Sequence, residues 1–172
     1  MDHDEMMKSR REILVAGGVI AAGAALSGSL AQAEDAAPTL NYEYLCTAEA
    51  ELETAQPVGK SPHGTRMIVY VKSGVVKGPK INGKVLPGGG DWYLVRPDGV
   101  GEVDVRATIE TDDGALIYTH YKGVIDSKNG YFRTTPRYET ASEKYAWLNS
   151  IVAVGVGSSI EKGVRYHIYR IL

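Results

Sequence analysis

The sequence predicts an all-β protein, a single closed antiparallel β-barrel of eight or nine strands, and three features beyond residue 34 carry that prediction. Eleven tyrosines and several valine-rich runs favour sheet, and no long window shows a helical apolar stripe. Turn dipeptides recur at Asn82-Gly83, Asp98-Gly99, Asp113-Gly114 and Asn129-Gly130, spaced 15 or 16 residues apart, which is one long strand plus its hairpin turn. From Gly101 to Thr111 the chain alternates cleanly. Val103, Val105, Ala107 and Ile109 take one face, and Asp104, Arg106, Thr108 and Glu110 take the other.

Taken in order, strands are expected near 40–53, 65–73, 75–80, 91–96, 101–111, 115–125, 130–140, 145–156 and 163–171. Long strands joined by short hairpins must hide their edges. Closing into a barrel does this, with a two-sheet sandwich as the alternative. A barrel of this size leaves an interior that holds one small ligand. Pro87-Gly88-Gly89-Gly90 is expected to turn the chain sharply at a barrel rim. Cys46 is the one cysteine, which excludes an intramolecular disulfide and a cysteine-built zinc site. It reads as a small buried hydrophobe in the first strand.

With 172 residues, 44% of them hydrophobic and 23% charged, the chain suits one globular domain plus a short extra segment. It is too apolar to be a disordered tail. The balance of 19 Lys and Arg against 21 Asp and Glu lacks the basic excess of a nucleic-acid binder.

The extra segment is the N-terminus. Arg10-Arg11 precedes an uncharged, Gly- and Ala-rich run from Ile13 to Ala33, and Ala31-Gln32-Ala33 supplies a small-x-small cleavage pattern. Residues 1–33 are therefore expected to be a twin-arginine type signal peptide, removed near Ala33 to leave a barrel domain over 34–172. The twin-arginine translocase would be its partner during export, and the periplasm its destination. A retained transmembrane anchor is the alternative, since the run is long enough to span a bilayer. The weak hydrophobicity of Gly and Ala favours removal, leaving no stable membrane insertion.

Several side chains could carry chemistry. Asp91 and Trp92 follow three glycines, an arrangement that suits a pocket mouth with Trp92 stacking on a ligand and Asp91 moving a proton, or a plain barrel corner. Arg133 and Glu139 flank Pro136 on one kinked strand, as a minimal acid–base site or a self-satisfied pair. Tyr118 and His120 share one face of their strand, with Ile117, Thr119 and Tyr121 on the other. A tyrosine beside a neutral-pH titrant could steady a developing oxyanion. Tyr145, Trp147 and Asn149 alternate as a wall for a planar ligand with one polar anchor, or as a core ladder. Asp112-Asp113 reads as hairpin-turn chemistry. His63, His120 and His167 lack zinc-motif spacing, and the Gly-rich stretches lack a phosphate-loop lysine, so no metal or nucleotide cofactor is expected. No Gly-x-Ser-x-Gly elbow is present.

The order of Gly78-Pro79, Asn82-Gly83, Leu86-Pro87-Gly88-Gly89-Gly90-Asp91-Trp92, Arg96-Pro97-Asp98-Gly99, Thr111-Asp112-Asp113-Gly114-Ala115-Leu116-Ile117-Tyr118, Tyr131-Phe132-Arg133-Thr134-Thr135-Pro136, Tyr138-Glu139-Thr140 and Tyr145-Ala146-Trp147-Leu148-Asn149 resembles the UPF0311 proteins, also called domain of unknown function 3237. The resemblance covers nearly all of the chain after the signal. It implies a compact, calycin-like β-barrel, with some members tied to cofactor-free chemistry on aromatic acids. Most members lack an export signal, and the segment between Val124 and Tyr131 is shorter here.

The expected function is binding of a small aromatic or enol-type acid inside the barrel. Cofactor-independent lyase or isomerase chemistry would use Asp91 or Glu139 for proton transfer and Arg133 as the anion anchor. Tyr118 and His120 would stabilise charge, and Trp92 and Trp147 would flank the ring. A non-catalytic carrier of a small hydrophobic ligand is the alternative, and a filled structural barrel is a third. A homodimer is compatible with the sequence.

Overall fold

The structure is a computed structural model that describes residues 37–172, and the expected signal segment, residues 1–33, lies outside the described residues. Twelve strands and one helix run in order: β1 (Tyr42–Leu52), β2 (Gln56–Ser61), β3 (Gly64–Lys77), β4 (Gly83–Val85), β5 (Gly90–Asp91), β6 (Leu94–Val95), β7 (Gly101–Thr111), β8 (Leu116–Asp126), β9 (Tyr131–Thr134) and β10 (Arg137–Glu139). A 3-10 helix over Glu143–Ser150, β11 (Ala153–Ile160) and β12 (Gly163–Ile171) complete the chain. Among the described residues, no helix is long and apolar enough to cross a membrane.

All the ladders are antiparallel, and they close on themselves. Starting from β1, neighbours run β3, then β4, β5 and β6 sharing one position, then β7, β8, β9, β11, β12 and back to β1. β10 continues the β9 position alongside β8, so the ring has eight strand positions. β2 pairs only with the first part of β3. The chain therefore forms the predicted closed barrel.

Period-two alternation decides what points inward. On β7, Val103, Val105, Ala107 and Ile109 are buried and their neighbours are not, as the sequence pattern requires. Register then carries the parity round the barrel. Val105 faces Tyr121, Ala107 faces Thr119 and Ile109 faces Ile117 on β8. Tyr138 of β10 pairs with Thr119, and Thr134 of β9 with Gly123. Leu45, Cys46, Tyr166 and Ile168 complete the core from β1 and β12.

The two ends differ. The helix sets Tyr145 and Leu148 into the end formed by Leu45, Ile81, Ile109 and Ile117, all buried, and closes it. At the other end the inward residues Met67, Val69, Asp91, Tyr93, Tyr121 and Ile125 keep part of their surface exposed, so the barrel opens there.

Three turn predictions correspond to glycines at positive φ: Gly99 at 87°, Gly114 at 84° and Gly130 at 69°. Asn82-Gly83 differs. Asn82 clamps the backbone of Gly78 with two hydrogen bonds, and Gly83 lies in β4. Strand expectations are corrected as well. Residues 145–150 form a helix whose buried Tyr145 and Leu148 are three apart, a helical spacing too short to stand out from the flanking strand-like residues. Residues 65–77 lie in one strand, β3, instead of two, 78–80 form a bend, and 130–140 divides into β9 and β10.

Candidate functional site

Among the described residues, the open end holds the one carboxyl that the fold places facing the interior among tyrosines. β5 is only two residues long, pinned between β3 at Val69 and β7 at Val105, and Asp91 ends it. The ladder to β7 is interrupted at Trp92 and Tyr93 and resumes at Leu94. Trp92 N–H still donates to the Asp104 carbonyl at 3.0 Å, but the reciprocal bond is missing. Asp104 N–H donates instead to Asp91 Oδ1 at 2.9 Å, and the carbonyl of Trp92 accepts from the Arg66 guanidinium. A side-chain carboxylate thus stands in for a backbone acceptor at a seam in the barrel wall.

That position sets the acidity of Asp91. Burial pushes its pKa up to about 6, the Asp104 N–H offsets part of the rise, and the nearby Asp104 carboxylate adds to it. Arg66 lowers it only at a distance. Tyr93, Tyr121 and Tyr166 lie close enough for the charge of Asp91 to raise all three phenol pKa values, each driven first by burial. The Tyr121 and Tyr166 rings meet edge-on at 5.6 Å, and Phe132 packs on Tyr166 at 5.2 Å. These phenols stay protonated at neutral pH and serve as hydrogen-bond donors. Gly101 leaves the space that the Tyr93 hydroxyl occupies, since a Cβ there would collide with it.

Below these tyrosines lies a void of about 40 Å³, lined by Cys46, Thr119, Tyr121, Tyr138 and Tyr166 among others. It has room for about one water-sized group. Burial pushes the Cys46 thiol up to about 12, so it is no nucleophile. At the open end the inward positions carry no lysine or arginine; Arg170, which shares the parity of Tyr166 and Ile168 on β12, lies at the closed end over Trp147. Among the described residues, no three of His, Cys, Asp and Glu converge as a metal site would need.

Asp91 is the expected site residue that reaches this interior mouth. Trp92 points outward, with the Arg106 guanidinium 5.1 Å above its ring. Tyr118 and His120 stack at 5.7 Å on the outer face, where Thr108 and Arg106 are their partners on β7. Arg133 also faces out, donating to the Phe132 carbonyl at 2.8 Å and lying over Tyr131. Glu139 is exposed on β10, a strand separate from that of Arg133. These residues have the opposite parity to Tyr121 and Thr134, so the inward acid–base cluster drawn from them does not form.

The expected Tyr145, Trp147 and Asn149 wall does not form either, because a helix displays those positions in different directions. Tyr145 is buried at the closed end and donates its hydroxyl to Asp113 at 3.1 Å. Trp147 is half-buried beneath Arg170, and Asn149 clamps the backbone of Thr140 at both its N–H and its carbonyl. The sequence reading missed Tyr93, Tyr121 and Tyr166. The shared face of Tyr121, Ile117 and Thr119 was visible in the sequence, but not that this face is the inward one.

The chain is thus a small antiparallel barrel of eight strand positions, closed at one end by the helix and open at the other. Residues 38–171 match the family described as a protein of unknown function, DUF3237, and the chain belongs to that family. A conserved protein of unknown function from Rhodopseudomonas palustris, a UPF0311 protein, is 32% identical; its structure superposes with a TM-score of 0.74, covering 78% of this chain and 99% of that one. A β-barrel like protein from Acinetobacter baumannii is 33% identical, with a TM-score of 0.73 over 78% of this chain and 98% of its own. A hydroalkoxylation enzyme of Penicillium herquei, phnH, is 28% identical over 123 residues, 71% of this chain and 77% of that protein.

Proposed function

We propose that the open barrel end is a cofactor-free acid–base site for a small, mostly apolar molecule that carries an enol, phenol or alkene. The observation behind this reading is Asp91. It is an interior-facing carboxyl with a pKa near 6, held by one backbone N–H and ringed by protonated phenols. Such a group gives and takes a proton near neutral pH, a contribution of roughly 10²–10⁴ in rate. The phenols of Tyr93, Tyr121 and Tyr166 stabilise oxygen-centred negative charge as it develops.

The relative named for hydroalkoxylation indicates one reaction type that needs only these parts. Addition of an O–H across a C=C bond breaks the π bond and the O–H bond and forms C–H and C–O bonds. The Asp91 carboxylic acid protonates the alkene carbon, and the carboxylate recovers a proton from the attacking oxygen, so the enzyme ends unchanged. The reverse reaction is an elimination, which is lyase chemistry. An open end without inward lysine or arginine favours a neutral substrate over an acid. We further propose that residues 1–33 direct export to the periplasm.

The test is incubation of residues 34–172 with a panel of alkenyl phenols and enols without added cofactor, followed by mass spectrometry. Product formed by wild type and lost in Asp91→Asn supports the proposal. Ligand retained unchanged by both proteins would make the barrel a carrier. N-terminal sequencing of the periplasmic protein tests the export reading.

A further inference from the structure

A second concavity lies on the outside of the same wall. It has a volume of about 950 Å³, within the range of small-molecule sites, and Trp92, Asp104, Lys122, Val124, Tyr131 and Arg133 are among the residues lining it. Strand parity turns these side chains away from the interior, and the seam at Trp92 separates the groove from Asp91. Trp92 is 37% and Tyr131 47% exposed, with Arg106 over the ring of the first and Arg133 over that of the second.

The charges in the groove are unequally satisfied. Asp104 is paired to Arg106 at 3.2 Å, and Glu102 lies 3.2 Å from Arg96, which it shares with Asp98, so each acid of the lining has a cationic partner. Lys122 stands opposite Asp104 in register, yet the Asp104 carboxylate is turned to Arg106. Among the described residues, neither Lys122 nor Arg133 takes part in an ion pair. Arg133 spends one N–H on the Phe132 carbonyl and leaves others free. Val124 pairs with Arg133, which puts Lys122 and Arg133 diagonally across neighbouring strands, within reach of one anionic group.

We infer that this outer groove is a binding site for a planar aromatic carboxylate. The carboxylate lies between Lys122 and Arg133, and the ring packs against Trp92, Tyr131 and Val124. Guanidinium and ammonium donors supply charge-assisted hydrogen bonds, and the aromatic walls supply apolar contact. This site is independent of the interior chemistry, and its ligand has a charge that the open end of the barrel has no inward cation to accept.

The test is a titration followed at the Trp92 indole N–H in ¹H–¹⁵N spectra of the isotope-labelled protein, the signal being assigned by its loss in Trp92→Phe. The probes are 2-naphthoate, 2-naphthol and inorganic phosphate. The inference predicts a saturable shift with 2-naphthoate that weakens with added salt, and affinity at least about tenfold lower in Lys122→Gln/Arg133→Gln. It also predicts little response to 2-naphthol or phosphate, and unchanged binding in Tyr121→Phe. Equal affinity for naphthol, unaltered affinity in the double variant, loss of binding in Tyr121→Phe, or absence of any shift at Trp92 would each overturn it. Self-association that covers Trp92 and is displaced by none of the probes would overturn it as well.

Discussion

Asp91 Oδ1 accepts the backbone N–H of Asp104 at 2.9 Å, at the point where the β5–β7 ladder would otherwise use the carbonyl of Trp92. One side chain therefore closes the barrel wall and presents a titratable group to the interior. The same burial that makes the carboxylate costly to ionise brings its pKa near the pH at which proton transfer is efficient.

Asp91→Asn should remove turnover by roughly 10²–10⁴ while leaving the fold intact, because the amide oxygen still accepts the Asp104 N–H. Where Asp91 acts as acid, the wild-type rate should fall as pH rises through about 6. Stability gives an independent check with a defined sign. The folded pKa lies above the ordinary value of 3.8, so the wild type is favoured below that value and loses stability as pH rises through about 6. From pH 4 to pH 8, denaturant unfolding should show Asp91→Asn gaining on the wild type by on the order of 3 kcal/mol.

Tyr121→Phe and Tyr166→Phe should each lower turnover by about 10-fold or more by removing an interior donor. Tyr118→Phe, His120→Ala and Glu139→Gln should leave it within about twofold, since their side chains face outward. Steady-state rates on one substrate decide the matter, and a large loss in the outer set would move the site out of the barrel.

The contrast between these two sets shows what the sequence could reveal. The alternation at Val103–Ile109 and the Asp-Gly and Asn-Gly turns made the barrel legible, because one-faced burial and hairpin φ angles leave a local signature. Parity on β8 was equally visible, but the sequence alone does not say which face is inward when both carry aromatics: Tyr118 and His120 on one, Thr119 and Tyr121 on the other. Asp91 was legible from its place after three glycines. Its seam with Asp104 and its tyrosine neighbours were not, since they come from strands brought together only by long-range register.

Cys46 should resist alkylation in the folded protein, because burial holds its thiol at about 12 and leaves almost no thiolate at neutral pH. Iodoacetamide labelling followed by intact-mass measurement should show modification only once denaturant unfolds the barrel.

Gly123→Ala should destabilise the protein by about 1–3 kcal/mol. A Cβ at this position would meet the Arg133 carbonyl and lie 2.7 Å from Thr134 Cγ2, both on the neighbouring strand that the barrel needs for closure. Thermal unfolding would register the change.

The central claim is tested most directly by the titration of Asp91 itself, followed through the aspartate carboxyl ¹³C signals and assigned by the one lost in Asp91→Asn. A midpoint near 6, well above the other aspartates, is the predicted result. A midpoint near the ordinary 3.8 would mean a solvated carboxylate and would contradict the acid–base site at the barrel mouth.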